Sequence, residues 1–255
     1  MTALSNSNLR MRPKRPPMNH SMWVLPLIVL LLIGGCFLYI NNAELDDMEA
    51  RALSAESLGM AFTAHMRLAL VSTLIVILIG VPLGILLSRK RAAKIRPVIL
   101  AIANVGQAVP SIGILVLLAL LVGVGFNMAV IALVLYALLP VLRNTLVGVQ
   151  QVDPFVIDAG RGMGMSSSQI LCRIEVPLAV PVMLAGIRVA LVLNVGVATL
   201  ATYTNAGGLG DLIERGIVLN RMPILVIGSV LTIALALAID WIASLVEAKV
   251  RPRGL

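Results

Sequence analysis

The sequence predicts an all-α, polytopic membrane protein with about six transmembrane helices, and three observations carry that expectation. Of its 255 residues 59% are hydrophobic and 13% charged, whereas soluble domains carry about 25% charged residues. Mean hydropathy is +1.01, and 20 basic plus 12 acidic side chains are too few to cover so much apolar sequence in water, which excludes a soluble enzyme. The apolar residues also fall into runs of the ~20 residues that a helix needs to cross the hydrocarbon core.

The first run, Met22 to Ile40, has no charge. It follows a long basic tail, exceeds the core of a signal peptide and lacks a small-x-small cleavage site, so it reads as an uncleaved helix. Leu68 to Ser88 is the second span. Pro97 to Leu121 is a long third, interrupted by Gly106, Gln107 and Pro110; after a turn over 122–126, Asn127 to Leu142 makes a fourth. Leu178 to roughly Thr199 and Ile224 to Val246 complete the set.

Net charge is +8, but the bases sit in short clusters between apolar runs, which is a pattern of membrane orientation and not of nucleic-acid binding. Arg10, Arg12, Lys14 and Arg15 precede the first span; Arg89, Lys90, Arg91, Lys94 and Arg96 follow the second; Lys249, Arg251 and Arg253 end the chain. Glu44, Asp46, Asp47, Glu49 and Glu56 follow the first span. The excess of Lys and Arg toward the cytoplasm then places both termini inside and the acidic segment outside. Cys36 falls within a span and Cys172 in a cytoplasmic loop, a separation that disfavours a disulfide.

One segment, Arg143 to Pro177, is too polar to span. Asp153-Pro154 reads as an N-cap followed by proline at the first helical position. Phe155, Val156, Ala159 and Met163 share one face, and Gly164 stops the helix. Ser166 and Gln169 form a capping box for a second helix with the stripe Ile170, Leu171 and Ile174, which Pro177 is expected to end. Two readings are open: an interfacial helix pair on the headgroups, or a docking element. The short apolar face and sparse bases favour docking.

Asp158-Ala159-Gly160, three residues, Gly164, nine residues, then Ile174-Glu175-Val176-Pro177 resembles the EAA loop of ABC importer permeases, with Asp for Glu at 158, Gly for Ala at 160 and Val for Leu at 176. Val81-Pro82-Leu83-Gly84, Ala137 to Thr145, Gly162 to Met165, Pro181 to Arg188 and Ala206 to Gly210 are similar to the osmoprotectant subfamily, importers of glycine betaine, choline or carnitine. The resemblance implies a type I importer permease of MetI-like fold in a prokaryotic cytoplasmic membrane. The implied partners are ABC ATPase subunits, a second permease copy or a related permease, an extracytoplasmic substrate-binding protein and the lipid bilayer. On that reading Asp158, Ala159, Gly160, Met163, Gly164, Ile174 and Pro177 couple the chain to the ATPase. The organisation becomes a basic tail over 1–21, a first span over 22–40, an extracytoplasmic acidic segment over 41–67, a five-helix core over 68–246 containing the cytoplasmic coupling loop 143–177, and a basic tail over 247–255.

The chain has no G-x-x-x-x-G-K-[ST], so ATP hydrolysis is expected on a partner subunit. No catalytic constellation, cofactor or metal site is expected, and His20 and His65 read as surface or interfacial residues. For the substrate pathway, Asn104, Gln107 and Ser111 gather around Pro110 in the third span, as a pore element or a kink satisfied by its neighbours. Asn194, Thr199, Thr202, Tyr203 and Asn205 are gate or pore-lining candidates, or interhelical hydrogen-bond formers. Gly207-Gly208-Leu209-Gly210 suits a tight re-entrant turn. Arg188 and Asp240 lie at comparable depths and are expected to form an ion pair, the alternative being separate snorkelling. Permeases for another small solute, such as an amino acid, and ion-coupled secondary transporters are the competing functions.

Overall fold

The computed structural model describes residues 21–250, with side chains from Trp23 onward. Arg10, Arg12, Lys14, Arg15, His20, Arg251 and Arg253 lie outside the described residues. The regular elements among the described residues are all helical. Lipid offers no hydrogen-bond partners, and a helix satisfies its backbone within one segment.

Helix α1 (Ser21–Asn42) packs on α11 (Met222–Val250). The short α2 (Asp47–Ala52) is held by a capping box: Asp46 accepts from the Met48 and Glu49 amides, and the Glu49 carboxylate accepts from the Asp46 amide. The Glu49 amide, with Arg221 and the Met48 amide, holds the Asp46 carboxyl below the usual carboxylate range. Arg221 reaches Asp46 at 2.5 Å and Glu49 at 3.8 Å, tying α2 to the connection before α11.

Helix α3 (Ala55–Ser88) has 34 residues, which is about 51 Å of helix against a hydrocarbon core of roughly 30 Å. The helix begins before the expected span at Leu68: Ser54 caps it through the Ser57 amide, and Ala55 to Arg67, from the acidic segment after the first span, form its first turns.

The expected third span is broken. Helices α4 (Arg96–Ala108) and α5 (Ser111–Val122) meet at a bend of 96°. Pro110 offers no N–H and forces the residue before it out of the helical region, so Val109 is extended (ψ 135°). Arms of 13 and 12 residues are each about 19 Å long, too short to cross alone. The pair nonetheless carries the chain between the two ends of the bundle. Helix α3 ends beside Glu175, to which Arg89 is ion-paired, while the Gly125 amide, just before the helix that opens at Phe126, bonds the Thr204 carbonyl, beyond the far end of the helix Val176–Ala198.

Helix α6 (Phe126–Gln150) is the centre of the core, flanked by α3 and α9 (Val176–Ala198). Leu133, Ala137, Val141 and Leu142 on it are inaccessible. It corrects the fourth-span boundary at Leu142, because residues 143–150 continue the helix with Leu146 and Val149 buried.

After α7 (Pro154–Gly162), α8 (Ser167–Ile170) passes through a π-turn, Leu171–Glu175, straight into α9 and a 3₁₀ segment, Thr199–Thr204. Pro177 therefore does not end a separate helix. It occupies the first turn of α9, and the π-turn before it leaves room where its ring and missing N–H would disturb regular α-helix. Helix α10 (Gly210–Val218) then packs on α11.

Close contact between α3, α6 and α9 depends on small residues. A β-carbon at Gly186 would lie 2.6 Å from Asn144 Cβ and 2.8 Å from the Pro140 carbonyl oxygen, and one at Gly84 would lie 2.7 Å from Thr145 Cβ. Gly186→Val is expected to destabilise the detergent-solubilised protein by about 2–3 kcal/mol through overpacking. An unshifted thermal midpoint would contradict this close approach.

Candidate functional site

The polar segment forms a hairpin at one end of the bundle. Asp153 accepts from the Phe155 amide and opens α7, with Pro154 at its first position. The helix closes at Met163, and Gly164 takes φ +79°, a value that favours glycine. Met165 donates to the Gly160 carbonyl, and the Ser166–Gln169 capping box starts the second arm. Gly160 is buried against that arm, where a β-carbon would come within 2.8 Å of Ile174 Cδ1. Packing on Ile174 explains how glycine serves at 160.

The predicted apolar face of α7 is left uncovered, with Phe155 83% and Met163 74% exposed, and Val156 and Ala159 also exposed. Asp158 pairs with Arg161 at 2.7 Å on the exposed surface, and Pro177 is exposed at the start of α9. Sequence reasoning passed over Glu175. This buried carboxylate at the end of the π-turn is paired with Arg89 Nη2 at 2.6 Å.

At the 96° bend, Asn104 and Pro110 are exposed, and Gln107 and Ser111 half-buried. Helix α5 packs against the Thr199–Thr204 segment, so the two groups of pathway candidates belong to adjoining elements. Within that segment Tyr203 is exposed, Thr202 half-buried, and Thr199 donates to the Gly196 carbonyl at 2.6 Å. Asn205 is exposed with φ 55°. Asn194 lies inside the subunit: its side chain is inaccessible, and its amide donates to Thr73 Oγ1 of α3 at 2.9 Å.

His65 overturns its reading as a surface or interfacial residue. It is fully buried, with Nε2 2.9 Å from the Val195 carbonyl oxygen and Nδ1 accepting from the Leu209 amide at 3.2 Å. A backbone N–H only donates and a carbonyl only accepts, so the ring is the neutral tautomer with its proton on Nε2. It fastens the glycine-rich turn, where Gly207 and Gly208 have φ +78° and +119°, to α3 and α9 at once. A signal was available: His65, Leu68, Ala69, Ser72, Thr73 and Val76 form one buried stripe at helical spacing.

Arg188 and Asp240 meet across α9 and α11 in a two-pronged contact, Nε to Oδ1 at 2.5 Å and Nη2 to Oδ2 at 2.7 Å. Glu247 lies 3.5 Å from Arg188 Nη1. Matched fork and carboxylate geometry makes this among the stronger ionic contacts.

Residues 80–252 match the family described as the binding-protein-dependent transport system inner membrane component. The chain belongs to that family. It is an inner-membrane transport permease, not an enzyme. Among its relatives, an osmoprotectant import permease protein of Salmonella typhimurium is 39% identical over 84% of this chain and 88% of its own length. A carnitine transport permease protein of Listeria monocytogenes is 39% identical over 75% of this chain and 87% of its own. A choline transport system permease protein of Bacillus subtilis is 37% identical with the same coverage. Among solved structures, the inward-facing methionine ABC transporter MetNI superposes with a TM-score of 0.69 at 23% identity, covering 78% of this chain and all of that one. A bacterial alginate importer superposes at 0.61 and 16% identity, covering 91% of this chain and 96% of that one. The type I permease fold of this chain rests on those superpositions together with the family match.

Asp240→Asn would leave Arg188 facing Glu247 alone. It is expected to cost about 1–3 kcal/mol, less than the ~3–5 of a fully buried pair because the two side chains are 32% and 27% exposed. Arg188→Gln combined with Asp240→Asn should be no worse than either single change, and strictly additive losses in thermal unfolding would refute the coupling.

Proposed function

We propose that this permease forms the translocation pathway of an ATP-driven importer for osmoprotectants such as glycine betaine, choline or carnitine, with ATP hydrolysed by a separate subunit. The observation that carries the mechanism is the uncovered apolar face of α7, held out at one end of the bundle by a second arm that runs unbroken into α9. A short exposed apolar helix on a rigid two-arm support fits a groove on a partner protein. ATP-driven closure of paired ATPase subunits would move the docked hairpins, and α9 would carry that movement across the membrane. The substrate class follows the relatives named for osmoprotectants, carnitine and choline.

Quaternary ammonium groups are held best by aromatic cages, and aromatics are 4% of this chain. High-affinity selection therefore belongs to an extracytoplasmic binding protein, with weak contacts along the permease. A second permease, identical or related, completes the pore. An ion-coupled mechanism is disfavoured because Asp240 is engaged by Arg188 and is not a free intramembrane carboxylate.

The hairpin end is the cytoplasmic one, since Arg89, Lys90, Arg91, Lys94 and Arg96 gather there while acidic α2 lies at the other. Six crossings, counting α4 and α5 as one, then put both termini in the cytoplasm. Cys172 is exposed in the hairpin and Cys36 buried, so a membrane-impermeant maleimide is expected to label Cys172 in inside-out vesicles and not in right-side-out ones. Labelling from the exterior would refute the orientation.

Two experiments test the function. Vesicles holding the permease with its ATPase and binding protein should take up radiolabelled glycine betaine, choline or carnitine with ATP and not with a proton gradient. Phe155→Ala with Met163→Ala should cut ATPase co-purification about tenfold or more, as for loss of two apolar anchors; full retention would place docking elsewhere.

A further inference from the structure

The joint between hairpin and membrane is a point of weakness. A π-turn has poorer packing than α-helix, and this one, Leu171–Glu175, lies between the second hairpin arm and α9. A push on the hairpin could be absorbed by bending there. At the last residue of the turn, Glu175 is paired with Arg89, which caps the end of α3.

The surroundings single this pair out. It lines a cleft of about 610 Å³ that separates α7 from the connection between α3 and α4, with Ile157 and Arg161 on the far wall. It is the one ion pair among the described residues with both partners on the lining of that cleft. The α3 end is itself braced: Arg96 donates to the Leu87 carbonyl at 2.8 Å, and Gln150, its amide oxygen turned toward Arg96, accepts from Nη1 at 2.9 Å. Arg89 thus belongs to a node joining the ends of α3, α4 and α6.

Helix α9 is also fixed to α3 at a second level, by Asn194 on Thr73 and by His65 on the Val195 carbonyl. Glu175 and Asn194 are about 28 Å apart along the helix axis. Tied to α3 at both levels, and packed on α6 between them, α9 is placed to move with α3. Between the levels Val81 and Ile85 of α3 pack with Ala179 and Met183 of α9, so the polar ties stand at the two ends of an apolar contact. The ion pair adds a charged tie between α3 and the base of α9 at the hairpin end.

We propose that Arg89 and Glu175 are positioning residues of the transport cycle: their ion pair splints the π-turn, so that displacement of the hairpin moves α3 and α9 as one body. This rests on the docking reading above. Loss of the pair leaves docking intact but lets the joint yield, and ATP is then hydrolysed with less solute moved.

The decisive quantity is solute transported per ATP hydrolysed by the complete transporter in proteoliposomes. Glu175→Gln and Arg89→Gln should each lower the ratio at least about threefold, with normal ATPase co-purification. The exchange Arg89→Glu with Glu175→Arg should restore it toward the wild-type value. Glu175→Asp should fall between wild type and Glu175→Gln, and it supplies the reading if Glu175→Gln does not assemble. An unchanged ratio in the single variants, or an exchange no better than they are, overturns the proposal. A purely structural role would lower the yield of complex and leave the ratio alone. If the wild-type permease fails to retain the ATPase, the docking reading fails; retention with an unmoved ratio removes only the splint.

Discussion

The absence of hydrogen-bond partners in lipid constrains everything else in this chain. An unpaired backbone group in hydrocarbon costs several kcal/mol, so the chain crosses as helix and its departures from regular helix are short. Three such departures stand out among the described residues. The bend at Pro110 leads into α5, which packs on α6 and on the 3₁₀ segment. The glycine-rich turn is closed by a buried histidine that satisfies the Leu209 amide. The π-turn lies at the bundle's edge, where Glu175 meets Arg89. Irregular backbone is where a helical bundle can change shape, and these sites coincide with the pathway candidates and the hairpin proposed to dock the ATPase.

A mechanical division follows. Helix α6 and its neighbours α3 and α9 form a close-packed centre in which glycines allow backbones to approach. Tight interiors transmit displacement and do not absorb it. The hairpin is the opposite, a small element with its apolar face uncovered and its charges spent locally in the Asp158–Arg161 pair. At the other end, α2 is fixed by reciprocal capping and by Arg221, which anchors the entry to α3 against the start of α11. On the proposed docking role, force would enter at one end through the hairpin surface, pass along packed helices and arrive at a braced far end.

Departures from the sequence-based expectations share a cause. Pro177 reads as a stop because proline ends most helices, but one widened turn accommodates it and lets the arm continue. Residues 143–150 read as loop because their polar side chains break the apolar run, although polarity does not prevent a helix from projecting beyond lipid. His65 reads as surface or interfacial because it precedes the apolar run that opens at Leu68, yet the helix begins at Ala55 and carries it on a buried stripe. Pro110 marked the third span as interrupted, but the size of the bend depends on what the two arms pack against.

By itself the sequence determined what is local: the membrane-spanning class from composition, the hairpin from Asp153-Pro154, Gly164 and the Ser166–Gln169 capping box, and the family from the spacing around Gly164. These signals act over a few residues or one helical repeat. Tertiary structure alone decided which polar groups meet. His65 and Val195 are 130 positions apart, Asn194 and Thr73 are 121 apart, and Arg89 finds Glu175 only once α3 and α9 lie side by side. Arg188 and Asp240 could be matched by depth, but their two-pronged geometry depends on the rotation of α9 against α11, which packing fixes and no periodicity encodes.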